Sequence, residues 1–240
     1  MNRTEPLRRA RPVLAAVALA AAVLAACGTA AEDPAPATSE DATTPEGQRS
    51  PATGTTGQVT VTETSVILGD PDAAQRVHVY QDLNCPHCRQ LHGVMATDVA
   101  DWAAGADVAV EFTVVDYLGP RTTHAFSTRG ANLLALVADV DPEAWPAVQE
   151  ALLEMQPTST TVEVSDEQLV TVAREAGAEL DDHDPAAVEH LAYADWVAAA
   201  TERAAAAGIS YIPQVWIGGE LVEGASHEET AELVRQAVGG

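Results

Sequence analysis

The sequence has 240 residues, which is long enough for one large domain or two small ones. Its 12 basic residues are all arginines and stand against 36 Asp and Glu residues, so the formal net charge is −24 at pH 7. A surface with this charge repels nucleic acid and anionic lipid, which excludes both as electrostatic partners.

The N-terminus joins a basic segment to a short apolar one. Arginines at positions 8, 9 and 11 precede an apolar run of 14 residues from Val13 to Ala26. This run is too short to span a hydrocarbon core about 30 Å thick, and it is typical of a signal peptide. It ends in Leu-Ala-Ala-Cys27, which resembles the bacterial lipobox. We predict a lipoprotein signal peptide at 1–26 and acylation of Cys27 (palmitate); the alternative is an ordinary signal peptide with Cys27 incidental.

A lipid anchor at Cys27 implies an exported protein held at the outer face of the cell membrane. Several acyl chains on one residue give stable attachment, and disulfides persist in that compartment. Residues 27–58 are rich in Ala, Pro, Thr, Ser and Glu and have few apolar side chains. Because such a segment buries too little apolar area to offset its ordering entropy, we predict a disordered tether. The folded domain is then expected at 59–240.

The first part of that domain follows a strand, helix, strand pattern. Strand character runs from Val59 to Ile67, and a second short strand over 77–80 leads directly to two cysteines. Apolar residues at helical spacing follow from Pro86, where proline suits the first turn. Residues 108–114 then alternate with a period of two, which is typical of a strand. This order predicts a β-α-β unit with the cysteines at the start of its helix.

The second part is helical from about 122 to 207 and then returns to strands. The predicted helices are Thr128–Ala138, Pro142–Met155, Ser165–Ala176 and Pro185–Ala207. The residues expected in their core are Trp145, Leu152, Leu169, Leu191 and Trp196. Strands are predicted at Gln214–Ile217 and Leu221–Val222. A capping box of Ser226 and Glu229 is expected to open a last helix, whose apolar face contains Leu233, Val234 and Val238.

Cysteine occurs three times, at Cys27, Cys85 and Cys88, and the last two form the motif Cys-Pro-His-Cys. At a helix start, unpaired N–H groups and the helix dipole favour a thiolate. His87 adds a hydrogen bond or a positive charge. We therefore expect Cys85 to be the nucleophile and Cys88, one turn further in, to be the resolving thiol. A fall of the Cys85 pKa from ~8.5 to ~4.5 would stabilise the reduced form by roughly 3.4 kcal/mol, about 70 mV.

Two segments carry a family resemblance. The run from Val79 to Cys88 resembles the active-site strand and helix of the DsbA-like branch of the thioredoxin superfamily. Residues 208–219 resemble the loop and strand that present the cis-proline of that family. The resemblance implies an α/β thioredoxin-like fold with a helical insertion between its βαβ and ββα halves. It also implies that Pro213, preceded by Ile212, is a cis-proline that faces the reactive sulfur and pairs with the substrate chain.

Two positions depart from the pattern of that family. Many DsbA-like proteins have an acidic residue six positions before the first cysteine, where this chain has Val79. The nearest carboxylate is Asp82, which is the candidate to assist proton transfer instead. Ile212 is larger than the Thr or Val often found before the cis-proline, and this difference bears on substrate choice and redox potential.

The resulting prediction is an extracytoplasmic thiol–disulfide oxidoreductase, monomeric, without cofactor or metal. Its site residues are Cys85, Pro86, His87, Cys88, Ile212 and Pro213. As an oxidase it would donate its disulfide to thiols of exported proteins, and a quinone-linked membrane partner of the DsbB or vitamin K epoxide reductase-like type would restore it. The alternatives are a reductase or isomerase, a metallochaperone that uses the cysteines with His87 or His92, a non-catalytic substrate-binding lipoprotein, and an inert disulfide. The other histidines show no spacing that suggests a site: His78, His124, His183, His190 and His227.

Overall fold

The computed structural model of the protein describes residues 49–157, 159 and 162–239. The predicted signal peptide, Cys27 and most of the predicted tether lie outside these residues. Within the described part of the chain, no helix is both long enough and apolar enough to cross a membrane.

The described strands form one mixed sheet in the order β1-β2-β3-β5-β4-β6-β7. Only the central pair, β4 and β5, is parallel, and the other neighbours are antiparallel. The strands are β1 (Gly54–Thr56), β2 (Val59–Val61), β3 (Val66–Leu68), β4 (Gln75–Gln81), β5 (Val108–Val114), β6 (Gln214–Ile217) and β7 (Glu220–Val222). The parallel pair is joined by the crossover helix that begins beside the two cysteines, as the sequence predicts.

Helices cover the sheet and form the block between β5 and β6. They are α1 (Pro86–Ala104), α2 (Phe126–Val140), α3 (Trp145–Glu154), α4 (Asp166–Glu175), α5 (Asp184–Glu189), α6 (Ala194–Ala206) and α7 (His227–Gly239). Short 3-10 turns at Gly119–Arg121 and Pro142–Ala144 precede α2 and α3. This arrangement confirms the thioredoxin-like fold with a helical insertion.

The alternation of side chains along β4 divides the interior into two parts. Val77 and Val79 point into the main core with both cysteines, Leu91 and Met95. Tyr80 points to the other face, where a smaller cluster contains Val115, Ala204 and Ile209. Since successive side chains of a strand face opposite sides, one strand supports both layers.

The folded region begins before residue 59, and its first predicted strand is divided by a turn. The predicted strand Val59–Ile67 is wrong as a single element, because it is a hairpin of β2 and β3. The hydroxyl of Thr62 accepts hydrogen bonds from the backbone N–H groups of Thr64 and Ser65, at 3.2 and 2.9 Å, and this side-chain turn reverses the chain. The tether boundary at 58 is too late, since Gly54–Thr56 pairs with β2.

The helical prediction over Pro185–Ala207 is also wrong as one helix. The chain breaks between α5 and α6, where Leu191 has a positive φ of 47°. Leu191 is therefore half-buried at the break rather than in the core, whereas Trp145, Leu152, Leu169 and Trp196 are buried as predicted. Leu233 was expected on the apolar face of the last helix but is 36% exposed.

The capping box before α7 forms only in part. Ser226 Oγ accepts a hydrogen bond from Glu229 N at 3.2 Å, as predicted. The Glu229 carboxylate accepts from the N–H of Ala225 at 2.7 Å rather than from that of Ser226. A complete capping box occurs instead at the start of α4, between Ser165 and Gln168.

Candidate active site

Cys85 is the N-cap residue of α1, and Pro86 occupies the first helical position. Its backbone is extended, with φ −87° and ψ 115°, so the chain passes directly from the turn after β4 into the helix. Both cysteines are free thiols and both are buried, with Cys85 5% and Cys88 1% exposed. Pro86 and His87 are exposed between them.

The two thiols differ in acidity for identifiable reasons. A hydrogen bond from the Cys88 side chain lowers the pKa of Cys85 to about 7, aided by the backbone N–H groups of Cys88 and His87. Burial and the charge of Asp82 oppose this shift. Burial raises the pKa of Cys88 well above its usual value. Near neutral pH, Cys85 is therefore the thiol that forms a thiolate, and Cys88 stays protonated.

Asp82 lies fully buried just before the cysteines and holds three segments together. One carboxylate oxygen accepts the N–H groups of Tyr117 and Leu118, both at 2.9 Å. The other accepts Asn84 N at 2.8 Å and the hydroxyl of Ser127. Burial raises the pKa of Asp82, although these hydrogen bonds partly offset the shift. The backbone N–H of Asp82 also donates to Cys88 Sγ at 3.4 Å.

Gln156 supports the cysteine loop from the helical insertion. Its Nε2 donates to the carbonyl oxygen of Leu83 at 2.7 Å and to that of Cys85 at 3.0 Å. The side chain is buried, so these bonds are formed away from water. Sequence reasoning missed Gln156, because it lies 71 residues from Cys85 in a segment without a recognisable motif.

The loop before β6 faces the reactive sulfur. The peptide between Ile212 and Pro213 is cis, and Cys85 Sγ lies 3.9 Å from the carbonyl oxygen of Ile212. A groove of about 300 Å³ runs along this loop, and its walls include His87 and Tyr211. The Tyr211 hydroxyl donates to the carboxylate of Glu223 across the groove, at 3.2 and 3.3 Å. The fold thus places the motif from Cys85 to Cys88 opposite the loop that contains Ile212 and Pro213. These two segments contain all the site residues predicted for the folded domain.

His227 also belongs to this region, although its spacing in the sequence gave no indication. Its ring stacks with that of His87, with centroids 5.3 Å apart and an angle of 30° between the planes. His227 is the first residue of α7, far along the chain from the motif. In contrast, His78, His124, His183 and His190 are not part of the groove wall. No cluster of three or more His, Cys, Asp or Glu side chains suited to a metal ion occurs among residues 49–157, 159 and 162–239.

A mixed sheet with a Cys-x-x-Cys pair at the start of its crossover helix and a cis-proline loop opposite defines the thioredoxin-like class. The family model described as thioredoxin matches residues 61–235, and the chain belongs to this family. The sequence has no significant match among curated proteins.

Solved structures share the fold at low sequence identity. BdbD from Bacillus subtilis, in the oxidised form, is 20% identical with a TM-score of 0.64, covering 79% of this chain and 100% of that one. MdbA, a thiol-disulfide oxidoreductase from Actinomyces oris, is 20% identical with a TM-score of 0.61, covering 76% and 88%. Reduced DsbA from Mycobacterium tuberculosis is 22% identical with a TM-score of 0.56, covering 77% and 94%. These similarities establish a DsbA-like version of the thioredoxin fold.

Proposed function

We propose that this chain is an exported thiol–disulfide oxidoreductase that oxidises the thiols of other exported proteins. The observation that carries the proposal is the position of Cys85 Sγ, at the start of α1 and 3.9 Å from the carbonyl oxygen of Ile212. A nucleophilic sulfur there lies beside an exposed groove in which an extended chain can pair with the proline loop. The names of the solved relatives, which include an oxidoreductase and a DsbA, agree with this chemistry.

The proposed reaction starts from the Cys85–Cys88 disulfide. A substrate thiolate attacks Cys85 Sγ, the disulfide breaks, and Cys88 leaves with the electron pair and takes up a proton. A second substrate thiolate then attacks the substrate sulfur of the mixed disulfide, and Cys85 leaves as a thiolate. The substrate loses two electrons, and the cysteine pair gains them. A membrane-bound, quinone-linked partner of the DsbB or vitamin K epoxide reductase-like type is proposed to restore the disulfide.

The pKa of Cys85 changes the argument for the direction of the reaction. With a pKa of about 7 rather than ~4.5, the thiolate stabilises the reduced form at pH 7 by at most about 0.4 kcal/mol, or roughly 8 mV. The sequence-based figure of about 70 mV is therefore too large. The oxidase assignment depends on the Cys-Pro-His-Cys resemblance, and the reductase or isomerase remains the alternative.

The reduction potential of the cysteine pair separates these two directions. The protein would be equilibrated with glutathione redox buffers, and its thiols would be counted by alkylation and mass spectrometry. A potential near about −120 mV is the expected result for an oxidase, and a value near about −270 mV would indicate a reductase. Cys88→Ser is the control, because it removes the intramolecular couple. Metal analysis of the same purified protein tests the metallochaperone alternative.

The lipid anchor is part of the proposal and has its own test. Cells that express the full chain would be labelled with palmitate, beside cells that express Cys27→Ser. We expect label and membrane association for the natural chain only. Equal membrane association of the two chains would contradict an anchor at Cys27.

A further inference from the structure

A small cavity lies beside Cys88, and two of its lining residues, Leu91 and Pro213, also line the substrate groove. Its volume is about 10 Å³, close to the minimum that holds one water molecule. Most of its wall is apolar, but Gln81 and His92 contribute polar atoms. Cys88 lines this cavity and Cys85 does not, so the buried thiol has polar neighbours that Cys85 does not share.

Gln81 and His92 each carry a buried nitrogen that lacks a partner. Gln81 Nε2 and His92 Nε2 have no hydrogen-bond partner among the residues that the structure describes. A buried polar atom without a partner is unfavourable, so the two nitrogens indicate a site for a bridging molecule. Gln81, His92 and Cys88 all line this cavity, so a water molecule in it would lie among these three residues.

His92 also borders a second, wider cavity of about 640 Å³ on the α1 and α3 side, where Glu143 and Glu150 form part of the wall. His92 thus lines both the small cavity at Cys88 and the surface cavity, as Val99 also does. Proton transfer between the two cavities requires a group that accepts a proton at one atom and releases one from another. An imidazole has this property, because it has two ring nitrogens.

Among the described residues that line the small cavity, His92 is the one besides Cys88 with an ionisable side chain. The Cys88 thiol is 1% exposed, and Val79, which also lines the small cavity, has no ionisable group. The carboxylate of Asp82 is already engaged by four donors: Asn84, Tyr117, Leu118 and Ser127. Asp82 therefore orders the loop, whereas the path through the small cavity remains open.

We propose that His92, together with a water molecule held by Gln81, carries the proton between Cys88 and the surface cavity. The inference rests on the proposed roles of Cys85 and Cys88. When Cys88 attacks a mixed disulfide at Cys85, its S–H proton passes through the water to His92 Nε2, and from the ring to solvent. The new Cys85–Cys88 bond forms, the bond from Cys85 to the partner sulfur breaks, and the partner leaves as a thiolate. In the reverse direction, the proton returns to the Cys88 thiolate.

The charge state of His92 suits this role. Burial lowers the pKa of His92, while the carboxylates of Glu150 and Glu154 on α3 partly oppose the shift. The ring is therefore mainly neutral at pH 7 and is able to accept a proton. Cys88, which lines the same small cavity as His92, has a pKa raised well above its usual value by burial.

The resolution step is measured separately from the first attack by using glutathione disulfide. Reduced full-length protein is mixed with an excess of glutathione disulfide. Samples are quenched with acid at intervals and analysed by mass spectrometry. The mixed disulfide of Cys85 with glutathione reports the first attack, and its conversion to the internal disulfide reports the step that needs Cys88. In His92→Ala we expect the first rate to be unchanged and the second to fall at least about tenfold.

Three further readouts distinguish a proton path from a structural effect. Added imidazole should accelerate resolution in His92→Ala but not in the natural chain. In His92→Ala, the resolution rate should rise about tenfold per pH unit through neutral pH, because the fraction of Cys88 thiolate rises in the same way. In the natural chain, the resolution rate should not change with pH over this range. Gln81→Leu should slow resolution while leaving stability equal or higher, because it removes an unpaired buried group.

His190→Ala is the matched control, since His190 is exposed and outside both cavities. Resolution at the natural rate in both His92→Ala and Gln81→Leu would overturn the proton path and leave the oxidoreductase proposal intact. A parallel fall in both rates and in stability would also overturn it, in favour of a packing role. If the natural protein formed no mixed disulfide with glutathione, the proposed function itself would fail, and the relay with it.

Discussion

Cys85 and Cys88 are chemically identical residues three positions apart, and their environments move their pKa values in opposite directions. Cys85 lies at the helix start, where a thiol hydrogen bond from Cys88 and two backbone N–H groups stabilise its anion. Cys88 lies one turn further in, where burial penalises its anion. The result is one nucleophile and one resolving thiol, which a two-step exchange requires.

This difference predicts how the two thiols react with an alkylating reagent as pH changes. Because the thiolate is the reactive form, the rate at Cys85 should rise with pH and reach half of its maximum near pH 7. Cys88 should stay unmodified over the same range. The measurement is the iodoacetamide rate at each cysteine by peptide mass spectrometry. A half-maximum for Cys85 above about pH 8.5, the value of an ordinary cysteine, would contradict the proposed environment.

Cys88→Ser refines the same experiment. The largest cause of the lowered pKa of Cys85 is the hydrogen bond from the Cys88 thiol. A serine hydroxyl preserves a donor at that position, whereas alanine removes it. The half-maximum for Cys85 should therefore move to higher pH in Cys88→Ala than in Cys88→Ser.

A substitution of Gln156 tests whether its two hydrogen bonds stabilise the loop before the cysteines. Gln156→Leu has a similar volume but leaves the buried carbonyl groups of Leu83 and Cys85 without this donor. We expect unfolding free energy to fall by about 2–3 kcal/mol, since an abandoned buried acceptor costs about 1–3 kcal/mol. Urea denaturation of the reduced protein measures the change.

Gln236→Leu is the matched control for that substitution. Gln236 lies on the exposed side of α7, where its side-chain Nε2 donates to the carboxylate of Glu232 at 3.0 Å. Such surface changes usually stay within about 0.5 kcal/mol. If both variants lost the same free energy, the Gln156 contacts would not be the cause.

At the scale of secondary structure, local patterns were sufficient for the elements that carry the chemistry. The β-α-β unit followed from alternation over 108–114 and from helical spacing after Pro86, and both elements are present. Errors occurred where a side chain or an unusual backbone angle broke a longer run. Thr62 converts one predicted strand into a hairpin, and Leu191 divides one predicted helix. Neither residue type marks a turn strongly, so propensity favoured continuity.

The parts of the site that sequence reasoning missed are those that the fold assembles from distant segments. Gln156 reaches the cysteine loop from the helical insertion, and His227 reaches the ring of His87 from the start of α7. Both residues act through tertiary contacts, and neither lies in a periodic pattern or a motif that would indicate those contacts. Only the cysteine pair and the proline loop had local signatures that the chain displays on its own.

Two glycine-to-alanine changes test how tightly the elements are fitted. At Gly93, on the exposed side of α1, an added Cβ would have no neighbour within 4 Å among the described residues. Gly93→Ala should stabilise the fold by about 0.5–1 kcal/mol, because alanine favours the helix. At Gly224, the Cβ would lie 2.7 Å from Thr230 N at the start of α7. Gly224→Ala should cost about 1–3 kcal/mol through this clash.

Thermal or urea denaturation of the two variants under identical conditions checks the opposite signs. Gly224 also lines the groove, so Gly224→Ala should change the reaction with peptide substrates, whereas Gly93→Ala should not. Stabilisation by both substitutions would show that the loop before α7 shifts without cost. Such an outcome would contradict the prediction that the loop at Gly224 forms a rigid part of the groove wall.

The molecule as a whole is strongly acidic, with a formal net charge of −24. Among the described residues that line the groove, the formal charge is that of Glu223, and no arginine is present. The field of the protein therefore attracts cationic partners and repels anionic ones over distances of about a Debye length. Unlike the helix dipole at Cys85, this contribution is long-ranged and sensitive to salt.

The prediction at this scale concerns three small disulfides of similar chemistry and different charge. The reduced protein would react with cystamine, a dication, with neutral hydroxyethyl disulfide, and with anionic glutathione disulfide. Between about 0.01 M and 0.5 M salt, the rate of cystamine should fall and that of glutathione disulfide should rise, since salt screens both attraction and repulsion. The ratio of the two rates should change by at least roughly tenfold.

Hydroxyethyl disulfide provides the reference for effects of salt on the thiol itself. Its rate should stay nearly constant, because it carries no charge for the field to act upon. A salt dependence common to all three reagents would instead indicate a change in the ionisation of Cys85. If the cationic and anionic reagents both matched the neutral one, the acidic surface would have no influence at the groove, and substrate choice would depend on the contacts of the proline loop alone.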